Sequence, residues 1–326
     1  MTRERRWTAD NIPDQTGRVA IVTGANTGIG YETARALAHH GATVTLACRS
    51  REKGEAATQR IVGESPAGAV AFAHLDLSDL DGVGRFAAEY ASSRGRLDLL
   101  VNNAGVMVPP ESRTAQGFEL QFGVNHLGHF ALTNRLLPLL HATTGSRVVS
   151  VSSVAHRMGK MTFDDLDFTP RGYDAWAAYG QSKLANLLFT FELQRKLSAD
   201  GSDIIATAAH PGWTGTDLQR TSLAARIGNV LFSMKPPQGA LPTLRAATDP
   251  MAKGGDYYGP DGVGEMRGYP VKVGTTDAAR NEADAARLWQ VSEELTHVRY
   301  VSATCPLSRP ASGGRAEAQA RTGASG

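Results

Sequence analysis

Three glycines near the start of the chain have the spacing of a phosphate-binding turn, Gly24-x-x-x-Gly28-x-Gly30. Glycine lets the backbone approach a ligand closely, and the N-terminus of a following helix offers N–H groups and the positive end of a dipole. The chemistry predicted for this stretch is therefore the binding of a pyrophosphate group. The residues of the predicted site are Gly24, Asn26, Thr27, Gly28, Ile29 and Gly30.

The residues on either side supply the elements that such a site needs. Residues 19–22 form an apolar, β-branched run that is too short for a helix and suits a buried parallel strand. Residues 31–40 have a helical period of apolar side chains, and Gly41 follows them as a stop. A glycine triplet alone is as compatible with a tight turn, but strand, turn and helix together favour nucleotide binding.

The same alternation of short apolar strands and amphipathic helices continues along the chain. Further strands are predicted at residues 43–47, 70–75, 97–101, 147–151, 204–208 and 257–260. This pattern predicts an α/β fold with a doubly wound parallel sheet, a Rossmann fold, in which ligands bind at the carboxyl ends of the strands. The residues predicted at these ends are Gly24, Arg49, Asp76, Asn103, Ser153 and Pro211.

The chain divides into one predicted domain and two flanking segments. Residues 1–17 are a polar N-terminal extension, residues 18–300 the Rossmann domain, and residues 301–326 a tail of predicted disorder. The scattered apolar residues of 213–236 follow a strand end directly. They suit either core packing or a small mobile lid over a lipophilic substrate.

Composition narrows the class of protein. The chain has 326 residues, 41% of them hydrophobic and 20% charged, with a net charge of +2, which is typical of a globular protein and does not favour nucleic acid as a partner. No apolar run reaches membrane-spanning length. Cys48 and Cys305 give no disulfide framework, which predicts a cytoplasmic location. His126 and His129 share a predicted helix without a third ligand, so no metal site is predicted.

Several motifs, taken in order, resemble the short-chain dehydrogenase/reductase family. They are Thr23-Gly24-x-x-x-Gly28-x-Gly30, Asn102-Asn103-Ala104-Gly105, Asn125, Ser153, Tyr179-x-x-x-Lys183 and Pro211-Gly212. Local stretches such as Ala47-Cys48-Arg49 and His210-Pro211-Gly212 are similar to the retinol-dehydrogenase-like branch of that family. The resemblance implies an enzyme that interconverts an alcohol and a carbonyl compound with a nicotinamide cofactor.

The resemblance also implies roles for single residues. Tyr179 would be the general acid/base, and Lys183, one helical turn away, would favour its phenolate. Ser153, or less directly its neighbour Ser152, would hydrogen-bond the substrate oxygen, and Asn125 would hold a water that links Lys183 to solvent. The further cofactor contacts implied are Asp76, Leu77, Asn103, Ala104, Gly105, Pro211, Gly212 and Thr214. Family members often pair the helices predicted at 119–140 and 176–197 between subunits, which implies a homodimer or homotetramer.

The end of the second predicted strand indicates which cofactor is used. An acidic residue there would bind a ribose 2′-OH, whereas here Cys48 occupies that position and Arg49 follows it. A guanidinium binds phosphate with two hydrogen bonds, and Ser50, Arg51 and Lys53 add donors or positive charge nearby. The sequence therefore predicts a preference for NADP(H), with NAD(H) as the alternative.

Other functions are compatible with parts of this pattern. One is a non-enzymatic nucleotide sensor or interaction protein on the same fold, although such a protein has no chemical need for Asn125, Ser153, Tyr179 and Lys183 together. Another is a nucleotide-sugar epimerase, which also uses Tyr-x-x-x-Lys but usually with the glycine pattern Gly-x-x-Gly-x-x-Gly.

Overall fold

The computed structural model describes residues 6–213 and 234–302. Residues 1–5, 214–233 and 303–326 lie outside the described residues. Thr214, most of the predicted lid and nearly all of the predicted disordered tail therefore stay predictions.

In the described part of the chain, the strands form one sheet in the order β3-β2-β1-β4-β5-β6-β7-β8, parallel except for the antiparallel pair β7–β8. They are β1 (Val19–Thr23), β2 (Thr43–Cys48), β3 (Val70–His74), β4 (Leu99–Asn102), β5 (Arg147–Val151), β6 (Ile205–Ala209), β7 (Tyr257–Pro260) and β8 (Pro270–Lys272). The predicted Rossmann fold is confirmed. The sequence did not predict β8, because three residues beginning with proline carry no strand period.

Helices cover both faces of the sheet. They are α1 (Gly28–His39), α2 (Arg51–Gly63), α3 (Leu80–Ser93), α4 (Leu120–Phe122), α5 (Gly128–His141), α6 (Ala175–Ala199), α7 (Pro236–Thr248), α8 (Asp277–Arg280) and α9 (Glu282–Thr296). Alternate residues of β1 show the two layers. Ala20 and Val22 pack in the core beneath α1, α2 and α7, whereas Ile21 packs in the core beneath α3, α5 and α6.

Two neighbouring side chains shape the start of α3. Asp79 caps this helix by accepting the N–H of Asp81 over 3.1 Å. Ser78 donates its hydroxyl to Asp76 over 2.6 Å and so holds the turn after β3.

The helix predicted over 119–140 is interrupted. A π-helical turn, Gly123–Leu127, joins α4 to α5 and contains Asn125. A π-turn inserts an extra residue into the helix and so turns one side chain out of the regular 3.6-residue period. Periodicity in the sequence does not reveal such an insertion.

Apolar side chains of the two helices expected to pair between subunits are buried within one subunit. Leu136 and Leu140 of α5 and Leu187 of α6 have no exposed area. Helix α9 packs on α6, where Trp289 stacks on Phe189 with ring centroids 5.7 Å apart. Assembly as a homodimer or homotetramer stays a prediction.

Candidate active site

A large cavity of about 720 Å³ opens at the carboxyl ends of the strands. Its lining includes every predicted site residue in the described part of the chain except Asn125. The predicted residues that line it are Gly24, Asn26, Thr27, Gly28, Ile29, Gly30, Arg49, Asp76, Leu77, Asn103, Ala104, Gly105, Ser153, Tyr179, Lys183, Pro211 and Gly212. The sheet thus brings together residues that are far apart in the sequence, as parallel strands do at a shared edge.

The glycine turn has the shape of a cradle for a phosphate group. Gly24 and Gly28 have φ values of 65° and 59°, in the left-handed region that favours glycine. A Cβ atom on Gly30 would lie 2.6 Å from the Gly24 carbonyl oxygen and would overlap the Asn103 amide. Side chains at these positions would fill the space at the N-terminus of α1, so the turn fits a dinucleotide pyrophosphate.

The ends of β1 and β4 are joined beside this turn. The Thr23 hydroxyl oxygen accepts the N–H groups of Asn103 and Ala104, each over 2.9 Å. The Asn103 amide in turn donates to the Thr23 carbonyl over 2.8 Å. Asn103 therefore fixes the floor of the cavity by joining the ends of β1 and β4.

Positive charge collects at the end of β2. Arg49 and Lys53 are exposed and line the cavity on either side of Ser50, whose hydroxyl caps α2 by accepting the Lys53 N–H. Cys48 is buried, and burial raises the pKa of its thiol to about 11, so no negative charge arises there. This corner of the cavity is suited to a phosphate group rather than to a neutral ribose hydroxyl.

Tyr179 and Lys183 lie one turn apart on α6 and face the cavity. Both are buried, with 9% and 4% of their surface exposed, and the Lys183 ammonium lies 5.6 Å from the centre of the Tyr179 ring. Burial raises the pKa of Tyr179 to about 12, opposed by a hydrogen bond with Ser153. Burial lowers the pKa of Lys183 to about 8, and its ammonium donates to the Val151 carbonyl over 3.2 Å.

The two adjacent serines have different partners. The Ser152 hydroxyl is buried and donates to the Lys183 carbonyl over 2.8 Å, so it holds α6 against β5. The Ser153 hydroxyl accepts the Ala155 N–H over 3.2 Å and hydrogen-bonds Tyr179. The geometry favours Ser153 over Ser152 as the residue that would meet a substrate oxygen.

Asn125 lies behind the cavity rather than in its lining. Its side-chain oxygen accepts the Val106 N–H over 2.8 Å, and its amide donates to the Val106 carbonyl over 3.0 Å and to the Ser182 hydroxyl over 2.9 Å. These bonds tie the π-helical turn to α6 and to the segment after β4. The role expected for Asn125 in holding a water stays a prediction.

Apolar residues beyond the predicted cofactor contacts also line the cavity. They include Val106, Met107, Val124, Val154, Ala155, Met158, Trp176 and Trp213, of which the sequence singled out only Trp213, at the start of the predicted lid. Met158 and Trp176 have 59% and 45% of their surface exposed although they are large and apolar. Trp176 is the first residue of the helix predicted at 176–197, and nothing in the sequence distinguished it from a core residue.

The paired histidines are not arranged as metal ligands. His126 Nε2 lies 2.8 Å from the Ser292 hydroxyl, and His129 Nε2 lies 2.9 Å from the Thr23 hydroxyl. Across residues 6–213 and 234–302, no three His, Cys, Asp or Glu side chains are grouped so that they could hold a metal ion. Over the same residues, no helix is both long and apolar enough to cross a membrane.

Comparison with known proteins identifies the family. The short chain dehydrogenase family model matches residues 18–226. This chain belongs to the short-chain dehydrogenase family. The dehydrogenase is 43% identical to human retinol dehydrogenase 13 over 86% of its own chain and 84% of that protein. It is 42% identical to mouse retinol dehydrogenase 12 over 87% of its own chain and 88% of that protein, which shows the retinol-dehydrogenase-like branch.

Solved structures agree with this assignment. The crystal structure of an uncharacterized protein from Mycobacterium paratuberculosis matches this dehydrogenase with a TM-score of 0.77 at 43% identity, covering 91% of this chain and 100% of that one. The RhlG/NADP active-site complex of Pseudomonas aeruginosa matches with a TM-score of 0.60 at 27% identity, covering 74% of this chain and 94% of that one. The protein is thus an oxidoreductase that acts on CH–OH groups with a nicotinamide cofactor.

Proposed function

We propose that this dehydrogenase transfers a hydride between NADP(H) and a lipophilic alcohol or carbonyl compound, with Tyr179 as general acid/base. The observation that carries the proposal is the arrangement of Tyr179 and Lys183, buried one turn apart on α6 and facing the cavity that also holds the glycine turn. A binding module needs the glycine turn but has no use for a buried phenol beside a buried amine.

The proton chemistry follows from the charges. The bound nicotinamide supplies or accepts the hydride. Tyr179 would donate its hydroxyl proton to the carbonyl oxygen in reduction and take it back in oxidation. Burial alone holds the pKa of Tyr179 at about 12, which is too high for an efficient base near neutrality. Lys183, with a pKa of about 8, is mostly charged at neutral pH and would favour the phenolate.

The preference for NADP(H) is supported by charge at the end of β2. Arg49 and Lys53 would pair with a 2′-phosphate, and Ser50 would donate to it. Cys48 supplies no carboxylate to bind a ribose 2′-OH or to repel the phosphate. Structural relatives from Pseudomonas aeruginosa and Shigella flexneri are described as complexes with NADP.

The substrate class is supported by the apolar residues of the cavity lining. Met107, Met158 and Trp176 line the cavity together with Tyr179, and the rings of Trp176 and Tyr179 have their centroids 6.3 Å apart. Burying an apolar substrate there removes both its surface and theirs from water. The sequence relatives bear the name retinol dehydrogenase, so a long apolar alcohol or aldehyde is the proposed class.

Steady-state kinetics with paired substrates and cofactors tests the proposal. The purified protein is assayed with NADPH and NADH, each against retinal and against glyceraldehyde, a small polar aldehyde. We expect the highest kcat/KM for NADPH with retinal. Absence of turnover in all pairs would refute the enzymatic proposal, and a preference for NADH or glyceraldehyde would refute the corresponding part.

Cytoplasmic location and assembly as a homodimer or homotetramer are also proposed, now without a pairing surface identified on α5 and α6. Light scattering on the purified chain tests the assembly. A species of the subunit mass alone, 34.6 kDa, at micromolar concentration would refute it.

A further inference from the structure

A buried histidine holds the turn that follows β6. His210 has no exposed area, and its Nδ1 accepts the Gly212 N–H over 3.2 Å. Its Nε2 lies 2.9 Å from Glu265 Oε2. A ring nitrogen that accepts an N–H carries no proton, so the proton is on Nε2 and is donated to the Glu265 carboxylate. The contacts on the two nitrogens therefore select one tautomer.

Glu265 reaches His210 from the β7–β8 loop, residues 261–269. The hydrogen bond from His210 lowers the pKa of Glu265, burial opposes this, and the nearby charge of Arg157 lowers it further. The Arg157 guanidinium donates to Glu265 Oε1 over 2.6 Å. Glu265 also has a φ of 57°, a left-handed conformation that is unfavourable for a residue with a Cβ atom. The surrounding contacts must compensate for this conformation.

The same loop contacts the β6 turn through the backbone. The Trp213 N–H donates to the Met266 carbonyl over 2.7 Å. Gly212 has a φ of 69°, and a Cβ atom there would collide with the Met266 carbonyl and with Pro260. A Cβ atom on Gly259, in β7, would overlap His210 Nε2. The His210 ring can therefore occupy this position only because residue 259 is a glycine.

Arg157 connects this loop to the opposite wall of the cavity. It lies in the 3₁₀-helical turn Val154–Met158, which directly follows Ser153. The neighbouring His156 is bound to the Ser153 carbonyl over 2.6 Å. Glu265 thus lies between the strand end that carries Ser153 and the strand end that carries Pro211 and Gly212, and it contacts a side chain from each.

We propose that Glu265 is a positioning residue that keeps the His210 proton on Nε2, so that Nδ1 can fix the Gly212 N–H and with it the cofactor-facing turn Pro211–Trp213. The expected effect on cofactor binding rests on the proposed nicotinamide site. The assignment of the His210 tautomer does not depend on that site. Glu265 does not line the cavity, and in the proposal it acts through its contacts with His210 and Arg157.

The test measures the tautomer and cofactor binding separately. The ring nitrogens of His210 are observed by NMR in the cofactor-free protein and assigned with His210→Gln. Glu265→Leu removes the acceptor at similar size, and Glu265→Gln restores a neutral acceptor. Arg157→Gln is the matched control, because it removes the ion pair but leaves the carboxylate on His210. Calorimetry then gives the Kd for NADPH.

We expect Glu265→Leu to populate the Nδ1–H tautomer and to raise the Kd for NADPH about 5-fold to 10-fold, the effect of one lost hydrogen bond. Glu265→Gln and Arg157→Gln should keep the wild-type tautomer and a Kd within about twofold. An unchanged tautomer in Glu265→Leu would overturn the proposal, as would a changed tautomer with unchanged Kd. A wild-type protein that binds no nicotinamide cofactor would refute the proposed function, while the NMR result would still decide the role of Glu265.

Discussion

Asn125 donates its side-chain amide to the Ser182 hydroxyl over 2.9 Å, which joins the π-helical turn to the residue beside Lys183. Ser182 in turn donates to the Tyr179 carbonyl over 2.8 Å. Both hydrogen bonds are buried, so the backbone that carries Tyr179 and Lys183 is held from outside its own helix. Asn125 can therefore influence the site without lining the cavity.

Ser182→Ala should destabilise the protein and loosen this connection. The substitution leaves the buried Asn125 amide with one partner fewer, so we expect the free energy of unfolding to fall by about 1–2 kcal/mol. Urea denaturation followed by circular dichroism measures the change. Ser198→Ala, an exposed serine on the same helix, is the control and should change stability by less than about 0.5 kcal/mol. Equal losses in the free energy of unfolding for the two variants would contradict a structural role for the buried Ser182 hydroxyl.

Tyr179→Phe should abolish most turnover while leaving the fold and cofactor binding intact. The two side chains have nearly the same shape, and only the proton donor is lost, so we expect kcat to fall ~10²–10⁴-fold. Cofactor Kd and thermal unfolding serve as controls. A kcat within about twofold of the wild type would show that another group moves the proton.

Cofactor preference should reverse when the end of β2 is changed. In the double variant Cys48→Asp, Arg49→Ala, the carboxylate would repel a 2′-phosphate and the cation that would bind it is gone. The backbone N–H groups of Ala25 and Asn26, which hydrogen-bond the Cys48 sulfur, are placed to stabilise the new carboxylate. The ratio of kcat/KM for NADPH and NADH is the readout.

Arg51→Ala is the matched control for that experiment. Arg51 is an exposed cation at the start of α2, two residues after Arg49, but it pairs with Glu55 over 3.1 Å instead of lining the cavity. Its loss should leave the cofactor ratio nearly unchanged. A double variant with the wild-type ratio, or a wild type that favours NADH, would refute the assignment of Arg49.

Stability should fall with pH below neutrality because of two buried histidines. Burial lowers the pKa of His126 to about 3 and of His129 to about 4. In the unfolded chain their pKa is about 6.5, so between about pH 6.5 and 4 the unfolded state binds more protons than the folded state. The free energy of unfolding is therefore highest above this range. Within this pH range, each histidine lowers the free energy of unfolding by up to about 1.4 kcal/mol for each pH unit of acidification.

Urea denaturation across this pH range checks the contribution of one histidine. His129→Gln should reduce the acid slope, whereas His74→Gln, an exposed histidine, should not. Carboxylates contribute equally to both variants, so the difference between slopes isolates His129. Identical slopes would contradict the buried, uncharged state of this side chain.

The sequence predicted those parts of the site that depend on local spacing. Lys183 follows Tyr179 by one helical turn, and Gly24 and Gly28 precede a helix, so their geometry was set by short-range rules. Membership of the family and the Rossmann sheet are confirmed. The π-helical turn at Asn125 was missed, because an inserted residue leaves no periodic signal in the sequence.

Long-range contacts account for most of the rest. Trp289 packs on Phe189, and Glu265 reaches His210, across separations that no local pattern encodes. The family resemblance led us to expect that the helices carrying Leu136 and Leu187 pair between subunits. These leucines are buried within the subunit, and the assembly itself stays a prediction.

The position of α9 also has a consequence for synthesis of the chain. His126 and Ser292, which meet in the folded protein, are 166 residues apart in the sequence. Until the ribosome has released α9, Phe189 and the other apolar side chains of α6 that pack on this helix lack that partner. We expect newly made chains to expose them late in translation, an interval when chaperones or aggregation would compete with folding.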